Sequence, residues 1–417
     1  MAKLTIKDIA LGGKRVFVRV DYNVPLEEKD GQIVVTDLTR IRETLPTLTH
    51  LINQGARLIL AAHLGRPKGK REATLSLAPV ATELAKLLGR PVQFVDDCVG
   101  EKVKAAAAAL QPGDILLLEN VRYYNEEEAN DAAFAARLAE PAEAYVNDAF
   151  GAAHRAHAST EGVARVVAGR GGPCVAGLLM ERELKFLGDE LETPARPFVV
   201  ILGGAKVSDK IMVIDRLLER ADSILIGGAM AYTFRLAQGR KTGKSLVEAD
   251  KVDTARSAVE KAKARNVQFL LPVDDVVAVP VKTDQLDKKG KPVIDFQNPR
   301  AHAEADLPDD AAGLDIGPAT VAAYSQVIAG AKTILWNGPM GLFEDKRFAA
   351  GTNAVAQAVA AATRGGAKSI IGGGDSVKAI NKAKLGDQVT FMSTGGGASL
   401  EFLEGQVLPG VAALNDR

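Results

Sequence analysis

RVFVRV (Arg15–Val20) is a near-continuous apolar run, and TDLTRIRETLPTLTHLI (36–52) after it carries its apolar residues at helical spacing. The same order recurs as RLILAA (57–62), the helical APVATELAKLL (78–88), VQFV (92–95), an Ala-rich helix, DILLL (114–118), a further helix and AYVND (144–148). Strands alternating with helices make βαβ units around a parallel sheet. Strands that are apolar throughout fit a sheet covered by helices on both faces. The grammar restarts at ARPFVVILGG (195–204) and runs through SILIGG (223–228), VQFLLP (267–272), TILWNG (333–338), SIIGGG (369–374) and QVTFMST (388–394). Between the halves, CVAGLLMERELKFLGDELE (174–192) reads as a helix, and the two prolines of TPARP mark a border near 187–196. The expected fold class is α/β, with two doubly wound, Rossmann-like parallel-sheet domains separated by a cleft and hinge. Residues 281–306 are expected to form an irregular surface excursion of the second half.

The 417 residues suit two or three domains at ~100–200 residues each. Lys plus Arg and Asp plus Glu both number 52, which excludes a generalised basic surface for nucleic acid and leaves only local charge clusters to consider. Cys98 and Cys174 are the only cysteines and lack CxxC spacing, as in a reducing compartment. The first residues lack the apolar core of a signal peptide, and no apolar run reaches about 18 residues. A cytoplasmic protein without membrane partners is expected.

In doubly wound sheets ligands bind beyond the carboxyl ends of the strands. In the first half those positions hold Asp21 and Asn23 (VDYNVP), His63 and Arg66 (HLGRP), Arg122 (LLLENVRYY), and His154, Arg155 and His157 (NDAFGAAHRAH), with Arg40 early in the first helix. Each arginine alone reads as a surface ion pair. Their repetition after strands points instead to a forked cationic site for phosphate or carboxylate. The second half places glycines there: Gly203-Gly204, Gly227-Gly228, Gly372 to Gly374 and Gly395 to Gly397. Each group leads toward a helical pattern, where free amides and the helix dipole favour phosphate, although a tight turn alone also selects glycine. GRKTGKS (239–245) is one residue short of a Walker A loop and follows no strand, no GxGxxG stands after the first strand, and HRAH lacks a third metal ligand nearby.

Taken in series, RVDYNVP, AAHLGRP, VNDAFGAAHRAH, LGGAKVSDKI, LWNGPMGLFE, GGGDS and STGGGASLEFLEG resemble the phosphoglycerate kinase family, in its order and across nearly the whole chain. The resemblance implies a monomeric glycolytic kinase that transfers the acyl phosphate of 1,3-bisphosphoglycerate to ADP, giving ATP and 3-phosphoglycerate, reversibly and with Mg²⁺. It implies a phosphoglycerate-binding domain over 1–187, with 400–417 folding back onto it, and a nucleotide-binding domain over 188–399. The matching phosphoglycerate residues are Asp21, Tyr22, Asn23, Arg40, His63, Leu64, Gly65, Arg66, Arg122 and Arg155. The matching nucleotide residues are Lys206, Gly227, Gly228, Gly313, Asn337, Glu344, Gly373, Gly374, Asp375 and Ser376, with Asp375 expected at the nucleotide-bound Mg²⁺. Arg40, Lys206, Lys210, Gly373 and Gly396 are the expected catalytic set. Lys206 and Lys210 are expected one helical turn apart. Tyr22 stands where the family more often has Phe, Ser376 where Thr is common, and Ala311-Ala312 replace a Trp-Met pair before GLDIGP. Two other readings stay open on the residues alone: a nucleotide-dependent dehydrogenase, and a non-catalytic anion-binding protein.

Overall fold

The computed structural model describes residues 2–286 and 290–417. The chain forms two compact units, Met1–Gly188 with Gln406–Arg417, and Asp189–Gly405.

In the first unit β1 (Arg15–Val20) is followed by an antiparallel hairpin, β2 (Leu26–Lys29) with β3 (Gln32–Val35). Then come β4 (Arg57–Ala61), β5 (Gln93–Val95), β6 (Ile115–Leu118), β7 (Ala144–Asp148) and β8 (Cys174–Ala176). Six of these strands make a parallel sheet in the order β5-β6-β4-β1-β7-β8. From β1 the chain winds to β4 on one side and later returns to β7 on the other, so the order reverses at β1. That reversal opens the crevice where doubly wound sheets take ligands. Val16, Phe17, Val18 and Val20 are fully buried, and each such side chain contributes about 1.5–3 kcal/mol relative to exposure. The helical expectation over 174–192 needs correction at its start. Cys174–Ala176 pairs with β7 from Tyr145 to Asn147, and the helix begins at Leu178. Three small apolar residues satisfy either period, and a free sheet edge beside β7 decides for strand. The C-terminal residues are held to this unit by Asn415 N–H to the Cys174 carbonyl at 2.8 Å and by Asn147 Nδ2 to the Gly410 carbonyl at 3.0 Å.

The second unit contains β9 (Phe198–Leu202), β10 (Ser223–Ile226), β11 (Gln268–Leu270), β12 (Asp275–Leu286), β13 (Pro292–His302), β14 (Ala312–Ile316), β15 (Thr333–Asn337), β16 (Lys368–Gly372) and β17 (Phe391–Met392). Its parallel sheet runs β11-β10-β9-β15-β16-β17, with the reversal between β9 and β15. Trp336 lies fully buried at that reversal, its Nε1 donating to the Gly338 carbonyl at 2.7 Å. β13-β12-β14 form a separate antiparallel sheet. The supposedly irregular 281–306 excursion is therefore largely a hairpin of β12 and β13, whose residues 287–289 lie outside the described residues. Its outer arms are mostly exposed, so no buried face imposes alternation on the sequence. Backbone ladder bonds, which leave no compositional trace, hold it. At its base Arg235 Nη1 meets Asp275 Oδ2 at 2.6 Å, both buried, and Tyr232 donates to Asp275 Oδ1 at 3.0 Å.

Candidate functional site

In the first unit the segments after β1, β4, β6 and β7 converge on a pocket of about 250 Å³ lined by Asn23, His63, Gly65, Arg66, Arg122 and Arg155. Gly151, Ala152, His154 and His157 complete its wall. Asn120 organises two of these segments. Its Oδ1 accepts the amides of Leu64 at 3.2 Å and Arg122 at 3.1 Å, and its Nδ2 donates to the Leu64 carbonyl at 2.7 Å. Arg122 is thereby fixed, with Nη1 on the Gly65 carbonyl at 3.0 Å and Nε 3.3 Å from Glu128 Oε1. Asn23 Oδ1 accepts the Gly65 amide at 2.9 Å, joining the β1 and β4 ends. Leu64 is itself buried and enters only through its backbone.

Arg40, at the start of the helix Thr39–Asn53, pairs with the Asp21 carboxylate. Burial would raise the Asp21 pKa, but Arg40 and other neighbouring positive charge outweigh it and hold the group below its ordinary value. Tyr22 points the other way. It is fully buried among the core residues with its hydroxyl 2.9 Å from Thr44 Oγ1, so its side chain serves packing.

Arg19, in the interior of β1, is a buried neighbour of the pocket residue His63 that strand-end reading misses. It is 1% exposed, donates to Ser159 Oγ at 2.7 Å and lies 3.1 Å from His63 Nδ1 through Nη2. The signal was present, since a charge sat inside a strand otherwise read as buried on both faces. Burial and then Arg19 push the His63 pKa well down, so its ring is neutral at pH 7. Because guanidinium can only donate, Nδ1 accepts and the proton sits on Nε2, available to an anion. His157 is similarly lowered to about 4 by burial, then by Arg122 and Arg19. The pocket thus holds positive charge on arginines and neutral rings on His63 and His157, a combination suited to a small organic anion across the neutral range.

In the second unit the ends of β9 and β15 meet at Lys210 and Asn337. Lys210 Nζ donates to Asn337 Oδ1, and both residues are buried. Burial, only partly offset by nearby acidic groups, lowers the Lys210 pKa to about 8. The helix expected to carry both lysines starts only at Ile211. Lys206 lies in the preceding bend, exposed, while Lys210 is the residue just before the first turn. The glycines linking strand to helix here admit bends that replace that first helical turn.

The glycine loops divide into two kinds. The amides of Gly203 and Gly204 donate to the carbonyls of Asn337 and Pro339 at 3.0 and 3.2 Å, and those of Gly227 and Gly228 to Leu202 and Met340 at 2.8 and 2.9 Å. A Cβ on Gly203 would lie 2.0 Å from the Pro339 carbonyl oxygen. These two loops spend their amides on the backbone of Leu202 and of residues 337–340 at the end of β15, with Gly203, Gly227 and Gly228 required by close packing, so they offer no phosphate cradle. Gly374 and Gly396 instead have open space where a side chain would be, at the starts of the helices Gly374–Lys382 and Gly397–Leu403. First-turn amides have no intrahelical acceptor and are open to an anion.

Gly373 precedes the first of these helices with φ of 82°, a backbone state that only glycine adopts freely. Ser376 is buried with its hydroxyl accepting the Gly338 amide at 2.6 Å, and exposed Asp375 pairs with Lys378 at 3.0 Å. Gly313 lies in β14, donating to Ser245 Oγ at 2.9 Å, with the Tyr232 hydroxyl filling the space of a Cβ. Glu344 is exposed in the turn after β15. Among the described residues no group of three His, Cys, Asp or Glu side chains is placed to hold a metal by itself, and no helix is long and apolar enough to cross a membrane.

The sequence profile of the family described as phosphoglycerate kinase matches residues 6–406. Phosphoglycerate kinase of Chlorobium chlorochromatii is 54% identical over 416 residues, covering all of both chains. That of Moorella thermoacetica is 54% identical over 417 residues, again with full coverage of both. Among solved structures, phosphoglycerate kinase from Coxiella burnetii superimposes with a TM-score of 0.82 at 41% identity, covering 99% of this chain and 98% of its own. The enzyme from Pyrococcus horikoshii gives 0.79 at 32% identity, with the same coverage.

Proposed function

The chain belongs to the phosphoglycerate kinase family, and from that premise we propose which of its residues carry the reaction. The activity is reversible transfer of the acyl phosphate of 1,3-bisphosphoglycerate to ADP, giving ATP and 3-phosphoglycerate, in glycolysis and gluconeogenesis. The arginine-lined pocket at the reversal of the first sheet takes the phosphoglycerate, and this is the observation that carries the assignment. Arg66, Arg122 and Arg155 hold the phosphate, His63 donates through Nε2, Asp21 accepts from a hydroxyl group, and Asn23 addresses a hydroxyl or carboxylate group. In the second unit Lys206, Lys210, Asn337, Glu344, Gly313 and residues 373–376 take the nucleotide, with Gly227 and Gly228 shaping the wall through their packing.

Phosphoryl transfer needs in-line positioning and dispersal of charge over the equatorial oxygens, with little covalent work by protein groups. Arg40 and Lys206 supply cationic donors to the migrating group, and the first-turn amides at Gly373 and Gly396 supply dipoles. No general base is required, because the attacking carboxylate or ADP phosphate is already ionised at neutral pH. Mg²⁺ enters with the nucleotide. Asp375, a single exposed carboxylate now paired with Lys378, would hold the cation together with the nucleotide phosphates, and the cation would neutralise charge on those phosphates. Turnover includes a closing motion, with 187–196 as hinge, that excludes water from the acyl phosphate. We infer a cytoplasmic monomer without nucleic-acid or membrane partners.

A coupled assay of 3-phosphoglycerate-dependent ATP consumption, with and without Mg²⁺, tests the assignment. Turnover is expected only with both substrates and the metal. Absorbance titration with NAD is expected to show no binding, and binding with no kinase turnover would favour the dehydrogenase reading. The depressed Lys210 pKa adds a pH signature. Its ammonium is charged below about 8 and neutral above, so the KM for ATP rises as pH climbs through that value. In Lys210→Met the KM for ATP is higher throughout and that alkaline rise is absent.

A further inference from the structure

The hairpin of β12 and β13 has no part in these assignments, yet one of its strands is tied to the segment that carries Glu344. Arg347 makes the tie. Its Nη1 donates to the Phe296 carbonyl at 2.6 Å and its Nη2 to Asp295 Oδ1 at 3.0 Å, both on β13. The same guanidinium grips Asp345, with Nε 3.1 and 3.0 Å from the two carboxylate oxygens and Nη2 2.6 Å from Oδ2. Its backbone amide also donates to Asp345 Oδ1 at 2.9 Å. Beside this network Phe296 meets the buried ring of Phe348 edge-on, centroids 5.9 Å apart at 84°. On the other side of Glu344, Lys382 at the end of the helix Gly374–Lys382 donates to the Phe343 carbonyl at 3.0 Å.

Glu344 therefore projects from a short turn fixed at both ends, once by the helix that begins at the proposed phosphate loop and once by the hairpin. An exposed ion pair alone would fix little. A planar fork engaging two carboxylates and a carbonyl sets direction as well as distance. The carboxylate of Glu344 would be repelled by nucleotide phosphates and accepts hydrogen bonds, so it meets the hydroxyl groups of the nucleotide.

We propose that Arg347 is a positioning residue for the nucleotide site: by clamping Asp345 to Asp295 and Phe296 of β13 it aims Glu344, and the β12–β13 hairpin is the strut that makes this possible. The inference rests on the assignment of Glu344 to the nucleotide. Steady-state kinetics of the full-length enzyme, with ATP and 3-phosphoglycerate varied separately, test it. Arg347→Met is expected to raise the KM for ATP by roughly fivefold, leaving the KM for 3-phosphoglycerate unchanged. Arg347→Lys recovers part of the loss, and adding Arg347→Met to Glu344→Ala causes no further rise. Asp295→Asn, which leaves Arg347 and Asp345 paired, shifts the same KM in the same direction and serves if Arg347→Met fails to fold. An unchanged KM for ATP in Arg347→Met, while Glu344→Ala raises it, overturns the clamp and leaves the nucleotide assignment standing. An unchanged KM in Glu344→Ala overturns that assignment and the clamp with it.

Discussion

Arg40→Ala lowers kcat by ~10³-fold or more, because a charge-stabilising donor is worth roughly 10²–10³ and an arginine acting on a transferring phosphoryl group more. Arg40 is held at the start of its helix by its pair with Asp21, and that pair makes the experiment informative. Removing the guanidinium leaves a buried carboxylate without its main partner. The Asp21 pKa, now depressed, then rises toward or above its ordinary value. By linkage, a carboxylate with a lowered folded-state pKa stabilises the fold above its unfolded pKa, and this contribution is lost as pH falls through the folded value. The variant therefore loses part of its stability at neutral pH as well as its activity. Arg40→Lys separates the two effects, since an ammonium still neutralises Asp21 but cannot offer the two-pronged geometry. The expected pattern is a thermal midpoint near wild type with kcat still strongly reduced. A coupled assay placing Arg40→Ala within tenfold of wild-type kcat would remove Arg40 from the reaction.

Lys206→Met is the second large effect, with kcat falling by roughly 10²–10³. Lys206 is exposed in the bend after β9, and substitutions of such residues usually change stability by within about 0.5 kcal/mol. Loss of turnover with an unchanged melting curve would thus report on chemistry alone. The contrast with Lys210 is diagnostic. Lys210 is buried against Asn337 and acts on nucleotide affinity, so its replacement raises KM, whereas Lys206 acts on the migrating charge and lowers kcat. A Lys206→Met enzyme with normal kcat and raised KM for ATP would make both lysines ground-state binding groups. In the double variant of Arg40 and Lys206 the two losses combine less than additively, as for groups that stabilise one transition state together.

Most of the site was legible because strand-end position is a local property. Once RVFVRV, RLILAA, DILLL and AYVND were read as strands, the residues following them were candidates whatever the sheet order. Asn23, His63, Arg66, Arg122 and Arg155 do line one pocket. What failed were inferences needing knowledge of a partner. Tyr22, offered as a site residue only by the family resemblance, packs into the core, and the four glycine loops looked equivalent although two spend their amides on strand-end backbone nearby. Arg19 escaped notice because its place beside the pocket depends on contacts with His63 and Ser159, 44 and 140 residues away.

The sequence by itself determined the period of each element, the two α/β halves, the family and the residue types offered at each strand end, since all of these are written in short windows or in ordered motifs. Tertiary structure alone decided the strand order, the assignment of Cys174–Ala176 to a sheet edge, the β12–β13 hairpin and the identity of the free amides. It also decided which His63 nitrogen bears the proton. These depend on hydrogen-bond partners far away in the chain, and a backbone or ring donor has no character of its own until the acceptor facing it is in place.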